Sequence, residues 1–204
     1  MKKEGGRAIE QNLSDNHNSI IVIASSTGGP STLTNLLSEV PGDLKIPILV
    51  VQHMPEKYTA LFAGRLNDKC ELSVKEAETG DCILPGHVYL AKGGKHMRVY
   101  KTPASHLILL TDEPFREGVK PCANYTYESL AGSGYSKVYC IVLTGMGCDG
   151  TEGITYLSEF KETEIWIQDK ESCVVYGMPG SIAKSKLKHE TLSLKQMVEK
   201  IKNI

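Results

Sequence analysis

Apolar positions along this chain fall into two alternating patterns. Ile20-Ile-Val-Ile-Ala24, Ile46-Pro-Ile-Leu-Val-Val-Gln52 and Val138-Tyr-Cys-Ile-Val-Leu143 are short β-branched runs with no polar face. Such runs predict strands covered on both sides, as in a parallel sheet. Between them, apolar residues recur at helical spacing. Leu33, Leu36, Leu37 and Val40 mark a helix from Pro30 to about Glu39, stopped by Pro41-Gly42. Further helices are predicted over Tyr58–Asn67, Ala123–Ala131, after Gly150 with Ile154, Leu157 and Phe160 inward, over Pro179–Ser185, and at the C-terminus on Leu194, Met197, Val198, Ile201 and Ile204. Glu164-Ile-Trp-Ile-Gln168 reads as a shorter strand. A buried strand, a helix and a second buried strand form a right-handed βαβ unit.

From Cys70 to about Asp112 the rhythm changes. Leu72–Val74, His87–Leu90, Met97–Tyr100 and Leu107–Leu110 are separated by Gly80-Asp81, Pro85-Gly86 and Gly93-Gly94. Turn signals at that density predict antiparallel hairpins. The expected fold class is therefore α/β, a doubly wound, mostly parallel sheet with an antiparallel hairpin insertion. Residues 1–19 are polar and aperiodic and read as a disordered tail or linker stub, leaving 20–204 as one domain.

Composition narrows the function classes. With 204 residues, 41% hydrophobic and 23% charged, the chain suits one globular domain. A net charge of −1 leaves no electrostatic footprint for nucleic acid or a membrane surface. No apolar run approaches the roughly 18 residues that span a bilayer, and no secretory signal is visible. Six scattered cysteines without a Cys-x-x-Cys pair suggest free thiols in a reducing cytoplasm, with neither disulfide framework nor metal site.

Candidate chemistry gathers where strands end. Ser25-Ser-Thr-Gly-Gly-Pro30 joins the first strand to a helix N-terminus. Free backbone N–H groups there suit a nucleophilic hydroxyl beside a developing oxyanion. An ordinary capped turn is the alternative. A phosphate loop is disfavoured because Gly-x-x-x-x-Gly-Lys-Ser/Thr and Gly-x-Gly-x-x-Gly are both absent. His53 follows the second strand and Asp149 follows the third, in Thr144-Gly-Met-Gly-Cys-Asp-Gly150. Ser26, His53 and Asp149 can thus meet at one sheet edge as nucleophile, base and orienting acid. A carboxylate before a helix also reads as an N-cap, and a histidine after a strand as a structural residue. The order Ser…His…Asp and the lack of Gly-x-Ser-x-Gly disfavour an α/β-hydrolase. His87, His96, His106 and His189 receive no role.

Several segments together resemble a known family. These are Ser26-Thr-Gly-Gly-Pro, Val51-Gln-His-Met-Pro, Ser73-Val-Lys-Glu-Ala-Glu-Thr-Gly-Asp, Leu84-Pro-Gly-His-Val-Tyr-Leu-Ala, Lys95-His-Met, Leu143-Thr-Gly-Met-Gly-Cys-Asp-Gly and Ser172-Cys-Val-Val-Tyr-Gly-Met-Pro. In this order they resemble the catalytic domain of bacterial protein-glutamate methylesterases, the CheB family of chemotaxis, over about residues 20–200. The resemblance implies hydrolysis of glutamate γ-methyl esters on methyl-accepting chemoreceptor helices, with methanol released. Some members also deamidate receptor glutamines. It implies catalytic roles for Ser26, His53 and Asp149, oxyanion donors at the backbone of Met146 and Thr27, and no metal or organic cofactor. Nucleic acid and membrane insertion are not expected among its partners.

Two departures bear on the site. Ala24-Ser25 stands where the family usually has Gly-Ala, which makes Ser25 a second nucleophile on paper. Neighbours on an extended strand point to opposite sides, and the Ser-Thr-Gly-Gly match falls on Ser26. Val119-Lys-Pro-Cys-Ala-Asn124 replaces the usual His-Arg-Pro-Ser-x-Asp, so a catalytically weakened, partner-binding member is the alternative function. Residues 1–19 are too few for the receiver domain that the family usually carries. The chain is therefore expected to lack that domain and its autoinhibition in cis.

Overall fold

The computed structural model describes residues 18–204. Most of the tail expected at 1–19 lies outside them, and Ser19 already belongs to the first strand. The backbone forms a seven-stranded sheet in the order β3 (Ser73–Glu76), β4 (His87–Leu90), β2 (Ile48–Gln52), β1 (Ser19–Ser25), β7 (Lys137–Val142), β8 (Glu162–Gln168) and β9 (Glu190–Leu192), with every neighbouring pair parallel. A separate antiparallel pair is made by β5 (His96–Lys101) and β6 (His106–Thr111). The doubly wound α/β fold expected from the sequence is the fold found.

Strands β1 (Ser19–Ser25), β2 (Ile48–Gln52) and β7 (Lys137–Val142) occupy the centre and are buried almost throughout. Their side chains alternate between two hydrophobic layers. Ile20, Val22 and Ala24 join Leu49, Val51, Val138, Cys140 and Val142 on one face. Helices α3 (Ala123–Leu130), α4 (Thr151–Leu157) and α5 (Met178–Lys184) cover that face, together with β5 (His96–Lys101) and β6 (His106–Thr111). Ile21 and Ile23 join Ile48, Val50 and Ile141 on the other. There α1 (Gly29–Leu37), α2 (Glu56–Asn67) and α6 (Leu194–Lys202) close the core. A residue's parity along β1 or β2 thus decides which layer it enters.

From β1 the chain crosses through α1 to β2 on one side, and from β7 through α4 to β8 (Glu162–Gln168) on the other. With both crossovers right-handed, the connecting helices lie on opposite faces and their N-termini diverge at the carboxyl edge of β1. That edge is the topological switch point, where open α/β sheets hold their ligands.

The hairpin expectation for 70–112 holds for β5 and β6, which pair antiparallel, and needs correction for the first half of the segment. β3 (Ser73–Glu76) and β4 (His87–Leu90) are parallel to each other and belong to the main sheet. The intervening turns are real, with Gly80 at φ 96° and Gly86 at φ 71°. However, residues 80–83 run back antiparallel to β6, through Gly80 N–H to Ile108 O (2.8 Å) and Ile83 N–H to His106 O (2.9 Å). Turn residues fix where a chain bends. Long-range hydrogen bonds and burial decide which strand the next segment joins. Phe160 is a second correction: α4 ends at Leu157, and Phe160 is 55% exposed against the Tyr156 ring. The three-residue β9 (Glu190–Leu192) gave no apolar run to predict it. Among the described residues no helix is long and apolar enough to cross a membrane.

Candidate active site

The Cα register pairs Ser25 with Gln52 as the last rung between β1 and β2. One residue further along each chain stand Ser26 and His53, with His53 N–H donating to Ser25 O at 3.0 Å. Alternation sends Ser26 and His53 toward the α3/α4 layer and Ser25 and Gln52 toward the α1 layer. Ser25 is fully buried, and its hydroxyl donates to Gln52 Oε1 at 2.7 Å. It therefore cannot share a reaction centre with Ser26. Ser26 is partly exposed, and its hydroxyl has no hydrogen-bond partner among the described residues.

Gly28 turns the chain from Ser26 into α1 at φ 82°, in the left-handed region that glycine favours. A Cβ there would also lie 2.6 Å from Val174 Cγ2. Gly29 has an ordinary φ, so its role is space rather than backbone freedom. Its Cβ would overlap the Gln52 Oε1 atom and come within 3.0 Å of Ser25 Cβ.

His53 Nε2 lies 2.7 Å from Asp149 Oδ2, with the two side chains 10% and 2% exposed. The carboxylate accepts from Nε2–H, and in the neutral imidazole Nδ1 is then the nitrogen with the lone pair. Nδ1 is buried and has no hydrogen-bond partner among the described residues. His53 and Asp149 are thus brought together; Ser26, like His53, lies one residue beyond the last β1–β2 rung, and no hydrogen bond joins its hydroxyl to the imidazole.

Asp149 is held by more than the imidazole. Ala123 N–H donates to Oδ2 at 2.6 Å, Asn124 N–H to Oδ1 at 3.0 Å, and the Cys122 thiol to Oδ1 at 3.0 Å. The two amides open α3, so the carboxylate sits at the positive end of that helix. Burial alone would push the Asp149 carboxyl up. The His53 hydrogen bond and charge, the Cys122 thiol and the Ala123 amide outweigh it and hold the group below the ordinary carboxylate range.

Asp149 therefore does cap a helix, as one reading of the sequence held, but the helix is α3 and not the one it precedes. Asn124 returns the arrangement: its Oδ1 accepts from Gly150 N–H (3.0 Å) and Gly153 N–H (2.7 Å) at the start of α4. Each helix is capped by a side chain from the other's entrance. Gly153 permits the approach, since a Cβ there would lie 2.6 Å from Asn124 Cα.

Surrounding residues complete the cradle. His96 is fully buried, accepts from Cys122 N–H on Nδ1 (3.1 Å) and lies 3.1 Å from Pro114 O through Nε2. Burial pushes its imidazole down, which suits the neutral form these bonds require. The exposed Cys148 donates its thiol to Glu117 Oε2 at 3.0 Å, and that carboxylate pushes the thiol up to about 11. Glu117 also accepts from Asn124 Nδ2 at 2.6 Å.

The loop after β7 is tied to its neighbours. Ser26 N–H donates to Thr144 O (3.0 Å), and Thr144 Oγ1 to Thr27 O (2.9 Å). Thr144 N–H donates to Gln168 Oε1 (2.8 Å), and Gly177 N–H to Gly145 O (3.0 Å). The backbone N–H groups of Thr27 and Met146 make no hydrogen bond among the described residues. The Met146 side chain is 74% exposed. Among the described residues no group of three or more His, Cys, Asp or Glu side chains is placed to hold a metal ion.

Gln52, His96, Cys122 and Asn124 were not singled out from the sequence. Gln52 had a signal, as an amide closing a buried apolar strand. His96 and Asn124 lie in segments that the family resemblance marks, but nothing local gives their roles, because their partners are distant in the chain.

Comparison with known proteins adds a separate line of evidence. A family model described as CheB methylesterase matches residues 21–201. A protein-glutamate methylesterase/protein-glutamine glutaminase of Photobacterium profundum is 44% identical over 182 residues, covering 89% of this chain and 46% of that protein. One of Vibrio cholerae is also 44% identical over 182 residues, with 89% and 48% covered. One of Desulfotalea psychrophila is 42% identical over 184 residues, with 89% and 50% covered. The chain spans about half the length of these curated relatives. The crystal structure of the Thermotoga maritima CheB methylesterase catalytic domain superposes with a TM-score of 0.85 at 36% identity, covering 90% of this chain and 97% of that one.

Proposed function

The chain belongs to the CheB methylesterase family, and from that premise we propose that residues 20–204 form a protein-glutamate methylesterase domain. Its substrates are γ-methyl glutamate esters on the cytoplasmic helices of methyl-accepting chemoreceptors. The observation that carries the reading is the His53–Asp149 pair at 2.7 Å, whose other ring nitrogen, Nδ1, is buried and has no hydrogen-bond partner among the described residues. That is the tautomer a general base needs.

In this reading His53 Nδ1 takes the Ser26 Oγ proton as Oγ attacks the ester carbonyl. The Met146 and Thr27 amides receive the oxyanion; losing one such donor generally costs about 3–4 kcal/mol of barrier. The tetrahedral intermediate collapses, and methanol leaves with the proton returned by His53. Water then attacks the acyl-Ser26 with His53 again the base, releasing glutamate. Applied to a glutamine side chain, the same sequence releases ammonia and gives the deamidase activity.

The altered 119–124 segment was the ground for a weakened, partner-binding member. Its residues Cys122, Ala123 and Asn124 all donate to Asp149, which favours the catalytic reading. Methanol release from methylated receptor membranes tests it. Turnover by the wild type, abolished in Ser26→Ala with an unchanged melting temperature, is expected. Equal turnover by the two proteins would remove Ser26 as nucleophile, and binding without turnover by either would favour the weakened member.

A further inference from the structure

We infer that Gln52 is a positioning residue that braces the Ser26 turn against His53 and so sets the spacing of nucleophile and base. The inference rests on the roles proposed above for those two residues. Its physical basis is where the sheet ends. The β1–β2 ladder closes with His53 N–H on Ser25 O, and beyond that bond the two chains separate. Ser26 turns into α1 while His53 leads to Met54-Pro55. Ladder hydrogen bonds no longer hold the pair in register at the point where register matters for proton transfer.

One side-chain amide takes over. Gln52 Nε2 donates to Ser26 O at 3.0 Å and to His53 O at 2.9 Å, so each of its two hydrogens is held by the carbonyl of one reacting residue. The opposite end of the amide accepts the Ser25 hydroxyl at 2.7 Å. That third bond decides which way the amide faces, because a flipped amide would set its oxygen against two carbonyl oxygens. Gln52 is 2% exposed and Ser25 fully buried, so bulk water does not compete for these groups. Ser26 O also accepts Gly29 N–H at 2.8 Å, which carries the brace on to the start of α1.

Gly29 supplies an independent observation. With no unusual φ, it is explained by the Gln52 amide that fills the place of its missing Cβ. The nucleophile turn is therefore shaped around the glutamine. Substituting either residue should have the same consequence, a Ser26 turn free to drift relative to the imidazole. Misplacement of reacting groups by about 1 Å typically costs on the order of 10²-fold in rate.

The test is a set of variants read in four ways: methanol release for kcat and KM, labelling of Ser26 by a fluorophosphonate, melting temperature, and crystal structures. Gln52→Met keeps length and removes both donors. It should lower kcat and the labelling rate together, by about 10- to 100-fold, with KM within about twofold. Ser25→Ala should produce a smaller loss of the same kind. Gly29→Ala should resemble Gln52→Met in the wild-type background and add much less to Gln52→Ala, where the amide it would strike is gone and only the 3.0 Å approach to Ser25 Cβ is left. A purely structural role would lower the melting temperature without the split between kcat and KM and without this loss of additivity.

Gln52→Met with kcat and labelling above half of wild type overturns the inference, and so do additive losses for Gly29→Ala and Gln52→Ala. If Gln52→Met fails to fold, Ser25→Ala and the Gly29/Gln52 pair carry the test. If the wild type neither labels nor turns over, the esterase reading fails. The brace is then judged by crystallography, where an unchanged Ser26–His53 separation in the variants overturns it.

Discussion

Replacing Asp149 separates two jobs that one carboxylate performs. Asp149→Ala removes the acceptor for Ala123 N–H and Asn124 N–H, both on fully buried residues. An orphaned buried donor costs about 1–3 kcal/mol. Two of them, less some relaxation, imply about 3 kcal/mol of lost stability. In a chain of this size that is roughly 6–12 °C of melting temperature. Asp149→Asn keeps one acceptor oxygen and should cost about half as much. Its NH₂ cannot accept from His53, and converting an orienting carboxylate to an amide generally lowers kcat by about 10⁴. Thermal melts and methanol release therefore rank the variants differently: alanine is worse for stability, while both are inactive.

The pH dependence has a definite sign. A carboxyl whose folded pKa is depressed contributes stability that is present above its unfolded pKa and is lost as pH falls through the folded one. Asp149 is such a group. The gap in melting temperature between wild type and Asp149→Ala should be full near neutrality and close as pH drops below the ordinary carboxylate range. Wild-type melting of Asp149→Ala, a gap independent of pH, or Asp149→Asn within tenfold of wild-type kcat would each refute the reasoning.

Other outcomes follow from the same contacts. Gly153→Ala should destabilise by about 2 kcal/mol although alanine is the better helix former, because the new methyl meets Asn124 backbone atoms at 2.6 and 2.7 Å; a rise in melting temperature would count against the close α3–α4 approach. Cys148 is exposed, but its thiol is pushed up to about 11. At pH 8 an alkylating reagent should modify it on the order of 10²-fold more slowly than an ordinary free thiol, with the rate climbing toward pH 11. Glu117→Gln should abolish much of that protection, and mass-spectrometric time courses would show it. Cys122 and Cys140, both fully buried, should resist modification until the protein unfolds.

Much of this protein is legible from residue order. The β-branched runs at 20–24, 46–52 and 138–143 are strands covered on both faces, the pattern typical of a parallel sheet, and they pair parallel here. Helical spacing of Leu33, Leu36 and Leu37 determined which face of α1 is buried. Ser26, His53 and Asp149 stood out because each closes a predicted central strand. Period-2 alternation was enough to send Ser25 away from Ser26.

Other features depend on partners far away in the chain. Whether β3 and β4 close as hairpins or join the main sheet is decided by pairing with β2 and by the 80–83 return along β6. No local pattern records that choice. The mutual capping of α3 and α4 by Asp149 and Asn124 spans 25 and more residues. Gly29 leaves room for Gln52, an atom-level fit created by folding. Periodicity determines which elements form and which face each one buries, since those depend on neighbours three or four residues away. The donors around a buried carboxylate, and the amide beneath a nucleophile turn, arise only when separate elements meet and each buried polar group must find a partner.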